Sequence, residues 1–296
     1  MKTQRLNAVL EQMKKDGIQQ MIVSDPYSIF YLTGLMLHTG ERLFALYLNV
    51  DGNHKLFVNE LFPIEEDLGV EKVIFKDTDD SVKVVADRVD HNAVMGIDKN
   101  WPARFLLGLM EHGAGSKFVN GSYIIDRLRM CKDEEEKELM RKASQLNDKA
   151  VERLQKEITA DLTEKQLVTV LKGIYEDLGA DGLSFDPIIG FAANGANPHG
   201  EPGDRYVKEG DAIILDLGCI KDHYCSDMTR TVFYKSVPEK GKEIFDIVLE
   251  ANKRAIEKVK PGVRFCDIDA AARDYITEKG LSLIHISEPT RRTPIS

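Results

Sequence analysis

The stretch DAIILDLGCIKDHYCSDMTRTVFY, residues 211–234, constrains this chain more than any other. Both AIILDLGCI and HYCSDMTRTVFY are rich in β-branched, aromatic and apolar residues, so the stretch reads as two antiparallel strands. A turn centred on Lys221-Asp222 would pair Cys219 with Tyr224, Gly218 with Cys225, and Asp216 with Asp227. Directly opposed side chains lie about 4.5–5.5 Å apart at Cβ, and like charges there are destabilising. Either one carboxyl is protonated or cations sit between the two. Arg230 is no counter-ion, because strand alternation puts it on the opposite face from Asp227. A shared proton is the aspartic-protease solution, but that chemistry uses carboxyls on symmetric loops rather than on one hairpin. Hard carboxylate oxygens suit Mn²⁺, Mg²⁺ or Zn²⁺, and two ions about 3.5–4 Å apart fit across opposed aspartates.

The rest of the chain narrows the class. With 296 residues and 43% hydrophobic content, length favours two domains. A net charge of −9 argues against a nucleic-acid groove or an anionic membrane surface as main partner. The opening MKTQRLNAVLEQMKKDGIQQ is charged and amphipathic rather than a signal peptide, and no apolar run approaches the length of a membrane span. Four cysteines without CxxC spacing read as reduced thiols of a cytoplasmic protein.

Residues 1–125 alternate strand and helix and read as an α/β N-terminal domain with a mixed sheet. Within it, SDPYSIFYLTG supplies an N-cap, a proline in the first turn and a terminating Gly34. Residues 126–280 read as helices packed on an antiparallel sheet, an α+β arrangement, opened by the charged helix DEEEKELMRKASQLNDKAVERLQKEI. Residues 281–296, LSLIHISEPTRRTPIS, change character abruptly. Leu281–Arg291 is what one frame of a transposase-type sequencing adapter encodes, so this tail is expected to be non-native and the catalytic domain incomplete.

The hairpin ILDLGCIKDHYCSDMTRT resembles that of the creatinase/prolidase, or pita-bread, metallopeptidases, which include Xaa-Pro dipeptidase and aminopeptidase P. GFAANGANPHGEPGD, the helix LRMCKDEEEKELMRKASQLNDKA and the N-terminal SDPYSIFYLTG resemble family segments in the same order. The resemblance spans nearly all of residues 1–280. It implies a creatinase-type N-terminal domain followed by a pita-bread catalytic domain. It also implies two divalent metal ions, with Mn²⁺ preferred and Co²⁺ or Zn²⁺ possible, a proline-containing peptide substrate and a homodimer. By position, Asp216 would ligate one metal, Asp227 would bridge both, and His199 would contact the substrate or its developing oxyanion. The family's remaining histidine and two glutamates are expected beyond Gly280, and His285 is no substitute. His38 and Arg42 in LHTGER would bind the substrate carboxylate across the dimer. Two rivals remain open: a creatinase-like amidinohydrolase, which needs no metal, and a non-catalytic peptidase-like binding module.

Overall fold

The computed structural model describes residues 1–197 and 199–281; the tail expected to be non-native lies, apart from Leu281, outside the described residues. The chain divides into two compact units, the first being Met1–Lys132 and the second beginning at Asp133.

The first unit contains β1 (Gln20–Val23), β2 (Ala45–Asn49), β3 (Lys55–Asn59), β4 (Glu71–Phe75), β5 (Val94–Ile97) and β6 (Lys117–Asn120). They form one sheet in the order β4-β3-β2-β1-β5-β6. Pairing is parallel for β3–β4, β1–β5 and β5–β6 and antiparallel for β1–β2 and β2–β3, so the sheet is mixed. Helices α1 (Thr3–Lys15), α2 (Pro26–Thr33) and α5 (Ser122–Met130) cover one face, and α3 (Ser81–Ala86) and α4 (Ala103–Glu111) the other. Alternation along β1 feeds both layers, Met21 and Val23 entering one core and Ile22 the other. Helix α2 starts as its sequence dictates. Asp25 caps it by accepting the Ser28 N–H at 2.9 Å, and Gly34 ends it in the left-handed conformation at φ 83°.

In the second unit, α6 (Glu134–Lys156) and α7 (Glu164–Asp177) both open with capping boxes, Asp133 with Glu136 and Thr163 with Gln166. Both helices pack on a sheet ordered β12-β9-β8, made of β8 (Ile188–Phe191), β9 (Ala212–Leu217) and β12 (Met228–Phe233). A second sheet, β11-β10-β7, uses β7 (Gly182–Leu183), β10 (Cys219–Lys221) and β11 (Tyr224–Cys225). Helices α8 (Glu239–Lys258) and α9 (Phe265–Glu278) pack against each other around Ala251 and Ile276. Among the described residues no helix is long and apolar enough to cross a membrane.

The burial of β9 alternates. Ile213, Leu215 and Leu217 face α6 and α7 and are at most 1% exposed, while Ala212, Ile214 and Asp216 lie on the other face. Each fully buried aliphatic side chain contributes about 1.5–3 kcal/mol, and slipping one residue would turn the whole set outward. That alternation fixes Asp216 away from the helices.

The strand pairing differs from the sequence expectation by one residue per strand. Asp216 lies opposite Thr229, and Ile220 opposite Cys225, so Asp216 and Asp227 are not directly opposed. The reason lies in the turn. Asp222 and His223 take φ 51° and φ 66°, both left-handed, which makes them the central pair of a type I′ turn flanked by Lys221 and Tyr224. Asp and His tolerate that region better than most side chains, so the turn centres one position later than Lys221-Asp222.

Candidate metal centre

Two residues of offset in strand pairing keep every side chain on its face, so the corrected register turns a facing pair into a diagonal one. Asp227 lies between β11 and β12, two residues before Thr229; continuing the alternation of β12 backwards sets it on the Asp216 face. Diagonal neighbours sit roughly 7–8 Å apart at Cα, still within reach of ions that bridge their side chains. The repulsion inferred from direct opposition is correspondingly weaker. What remains is two acids that alternation assigns to the sheet face away from α6 and α7.

Asp216 is oriented from across the ladder. The Thr229 hydroxyl donates to its Oδ1 at 2.9 Å, and among the described residues its Oδ2 takes no hydrogen bond. A half-buried carboxylate with one oxygen pinned suits a hard divalent cation, since ligating carboxylates are themselves held by hydrogen bonds. The donor set therefore fits divalent metal, although it is short. Among the described residues no group of three or more His, Cys, Asp or Glu could hold an ion.

The end of β9 is fixed from behind. Asn147, fully buried in α6, donates through Nδ2 to the Leu217 carbonyl at 2.9 Å and accepts the Tyr175 hydroxyl at 2.7 Å. Burial pushes the Tyr175 phenol well above its ordinary range, so it remains a neutral donor. Burial likewise raises the Cys219 thiol, whose Sγ lies 3.3 Å from the Ser226 hydroxyl; it is a packing residue rather than a nucleophile. Gly218 joins β9 to β10 where the backbone passes against Ser184, Phe185 and Ser226, and a Cβ there would sit 2.5 Å from Phe185 Cε1.

His199 lies exposed in the loop that leaves β8 through the 3₁₀ turn Ala192–Ala196. That turn rests on the Asp216 face of the sheet. Gly190, paired with Ile214, would carry a Cβ 2.8 Å from the Gly195 Cα, and one on Gly195 would lie 3.0 Å from Ile214 Cγ1. The structure thus brings Asp216 and the root of the His199 loop to one side of one sheet, and the alternation of β12, continued backwards, puts Asp227 there too. His38 and Arg42 belong to the first unit. His38 is exposed, whereas both Asp77 oxygens accept hydrogen bonds from the Arg42 guanidinium, at 2.9 and 2.7 Å. That pairing holds the Asp77 carboxyl below its ordinary range. Thr229, Asn147 and Glu164 escape sequence reading, since each matters through a partner distant in sequence.

A mixed α/β unit followed by helices on a small antiparallel sheet is the order expected of a creatinase-type N-terminal domain and a pita-bread hydrolase domain. Residues 138–289 match metallopeptidase family M24, and residues 5–131 match the creatinase/prolidase N-terminal domain. The chain belongs to family M24. An uncharacterized peptidase of Staphylococcus saprophyticus is 33% identical over 93% of this chain and 79% of its own length. The prolidase from Pyrococcus horikoshii superposes with a TM-score of 0.84 at 30% identity, covering 94% of this chain and 78% of that one. The Xaa-Pro dipeptidase from Bacillus anthracis gives a TM-score of 0.84 at 26% identity over 95% of this chain and 78% of that one.

Proposed function

We propose that this protein is a dinuclear-metal hydrolase cleaving Xaa-Pro peptide bonds, as a dipeptidase or an aminopeptidase. The observation that carries this reading is the Asp216 carboxylate, held on the sheet face away from α6 and α7 and oriented by Thr229, with Asp227 two residues before Thr229 in the chain. Similarity to a prolidase and an Xaa-Pro dipeptidase supports the substrate class.

In this reading Asp216 and Asp227 would hold two divalent ions, with a histidine and two glutamates from further along the family's catalytic domain completing the set. Two such ions supply a Lewis acid for the scissile carbonyl and a water of lowered pKa. His199 donates to the oxyanion that develops on that carbonyl oxygen. Thr229 keeps Asp216 in the rotamer that ligation needs, and Asn147 keeps the strand beneath it in place. The amide preceding proline carries no N–H, so peptidases that grip that N–H handle it poorly and a dedicated site makes physical sense.

Manganese as the working ion, a homodimer and a cytoplasmic location belong to the same proposal; the free Cys131, Cys219, Cys225 and Cys266 suit a reducing compartment. A role for His38 and Arg42 toward the substrate carboxylate also stays a proposal, and for Arg42 it requires Asp77 to give way.

The test is release of proline from Ala-Pro in the presence of Mn²⁺. A version that completes the length of the relatives should hydrolyse the dipeptide. The 296-residue chain should not, because two carboxylates are fewer than the three protein ligands a catalytic metal typically takes. Brisk hydrolysis by the 296-residue chain would refute the ligand count, and inactivity of the completed enzyme would refute the substrate class.

A further inference from the structure

Glu164 is a fully buried acid at the first position of α7, on the far side of the sequence from the hairpin. Burying a carboxylate is costly unless its oxygens are satisfied, so its partners reveal what the burial accomplishes. Oε1 accepts the Phe191 N–H at 2.7 Å. Oε2 accepts both the Asn194 side-chain amide and the Gly203 N–H, each at 2.7 Å. The backbone adds to this. The Glu164 N–H donates to the Arg205 carbonyl at 3.3 Å, the Lys165 N–H to the Gly203 carbonyl at 3.1 Å, and Thr163 forms an isolated β-bridge with Tyr206.

These contacts bracket one segment. Phe191 and Asn194 stand before His199, Gly203 and Arg205 after it. Asn194 also donates to the Glu201 carbonyl at 3.1 Å, and Asn197 Oδ1 accepts the His199 N–H at 3.1 Å. Gly200 is packed so closely that a Cβ would meet the Asn194 and Asn197 carbonyls at 3.1 Å. Three N–H donors converge on two acceptor oxygens. A carboxylate satisfies all three, whereas a glutamine would turn an NH₂ toward one donor. The N-terminal end of α7 adds a favourable dipole.

We propose that Glu164 is a positioning residue whose carboxylate ties the entry and exit of the His199 loop together and so sets where that imidazole stands. The assignment rests on the role given to His199 above. It concerns a side chain outside the expected metal and substrate contacts.

The test uses the 296-residue chain at low micromolar concentration. Glu164→Gln should speed amide hydrogen exchange at Phe191 or at Gly203, whichever faces the new NH₂, by about tenfold or more, the scale for unsatisfying a buried donor. It should also shift the His199 imidazole resonance of ring-labelled protein toward that of free histidine. Val151→Ala, a core change in α6, controls for general loosening and should leave the resonance in place. Gly203→Ala, whose new methyl would lie 3.3 Å from Glu164 Oε2, should shift the resonance in the same direction and decides the matter if Glu164→Gln does not fold. An unmoved His199 resonance, or unchanged exchange at both amides, in the variant that folds would overturn the proposal. So would an equal shift in Val151→Ala. Failure of the completed wild-type enzyme to release proline would sink the peptidase reading and leave these readouts unaffected.

Discussion

Asp216→Asn is expected to lower kcat/KM for Ala-Pro by more than about 100-fold in a metal-loaded chain extended to its relatives' length, if the proposed activity holds. Disturbing a residue behind a metal ligand already costs about 10–100-fold in affinity or activity, and if Asp216 ligates as proposed this substitution removes the ligand's charge itself. The change is nearly isosteric. Thr229 donates to Oδ1 at 2.9 Å and can still donate to an amide oxygen there, so the strand pairing of β9 with β12 should survive. The expected signature is therefore a collapse in turnover with an unchanged unfolding midpoint in the absence of metal. A loss smaller than tenfold, with metal content intact, would show that Asp216 is not a ligand.

Gly218→Ala is expected to have the largest effect on the fold. Gly218 is where β9 passes into β10, and its Cα faces Ser184 Oγ, the Ser226 carbonyl and the Phe185 ring at distances that leave no room for a methyl. The neighbours are poorly placed to yield. The Ser184 N–H donates to the Gly218 carbonyl at 3.2 Å, its hydroxyl to the Ser226 carbonyl at 2.8 Å, and the Ser226 hydroxyl accepts the Cys219 N–H at 3.0 Å. Overpacking of this kind costs about 1–3 kcal/mol and sometimes more. At the upper end, the unfolding midpoint falls by roughly 6–12 °C for a unit of this size. The Ser226 carbonyl that the methyl would strike directly precedes Asp227, so if Asp227 holds metal as proposed the residual folded protein should also bind it more weakly. A thermal melt indistinguishable from wild type would show that the crossing relaxes freely.

Sequence reading reached the two-unit architecture and the main elements, because the signals were local. Pro26, Asp25 and Gly34 delimit α2, and the alternation in AIILDL sets which residues of β9 meet the helices. Register was not legible in the same way. It depends on which two residues accept positive φ, and KDH offers neither Asn-Gly nor Asp-Gly to mark the centre of the turn. The structure places that centre on Asp222-His223, and the aspartates become diagonal rather than opposed. Glu164 illustrates a deeper limit. An acid after Thr163 reads as an ordinary first-turn helix residue, and its burial becomes visible only once residues 191, 194 and 203 are folded around it. The proposed partnership of Asp216 with Asp227 is compatible with the shift, because pairing moved by an even number of residues. An odd slip would have sent them to opposite faces.

The most direct test is to count Mn²⁺ bound to the completed protein by electron paramagnetic resonance, beside Asp216→Asn and Asp227→Asn. If the acids share a cluster, wild type binds two mutually coupled ions, and either substitution abolishes the coupling. Two coupled ions persisting in both variants would mean that the metal lies elsewhere.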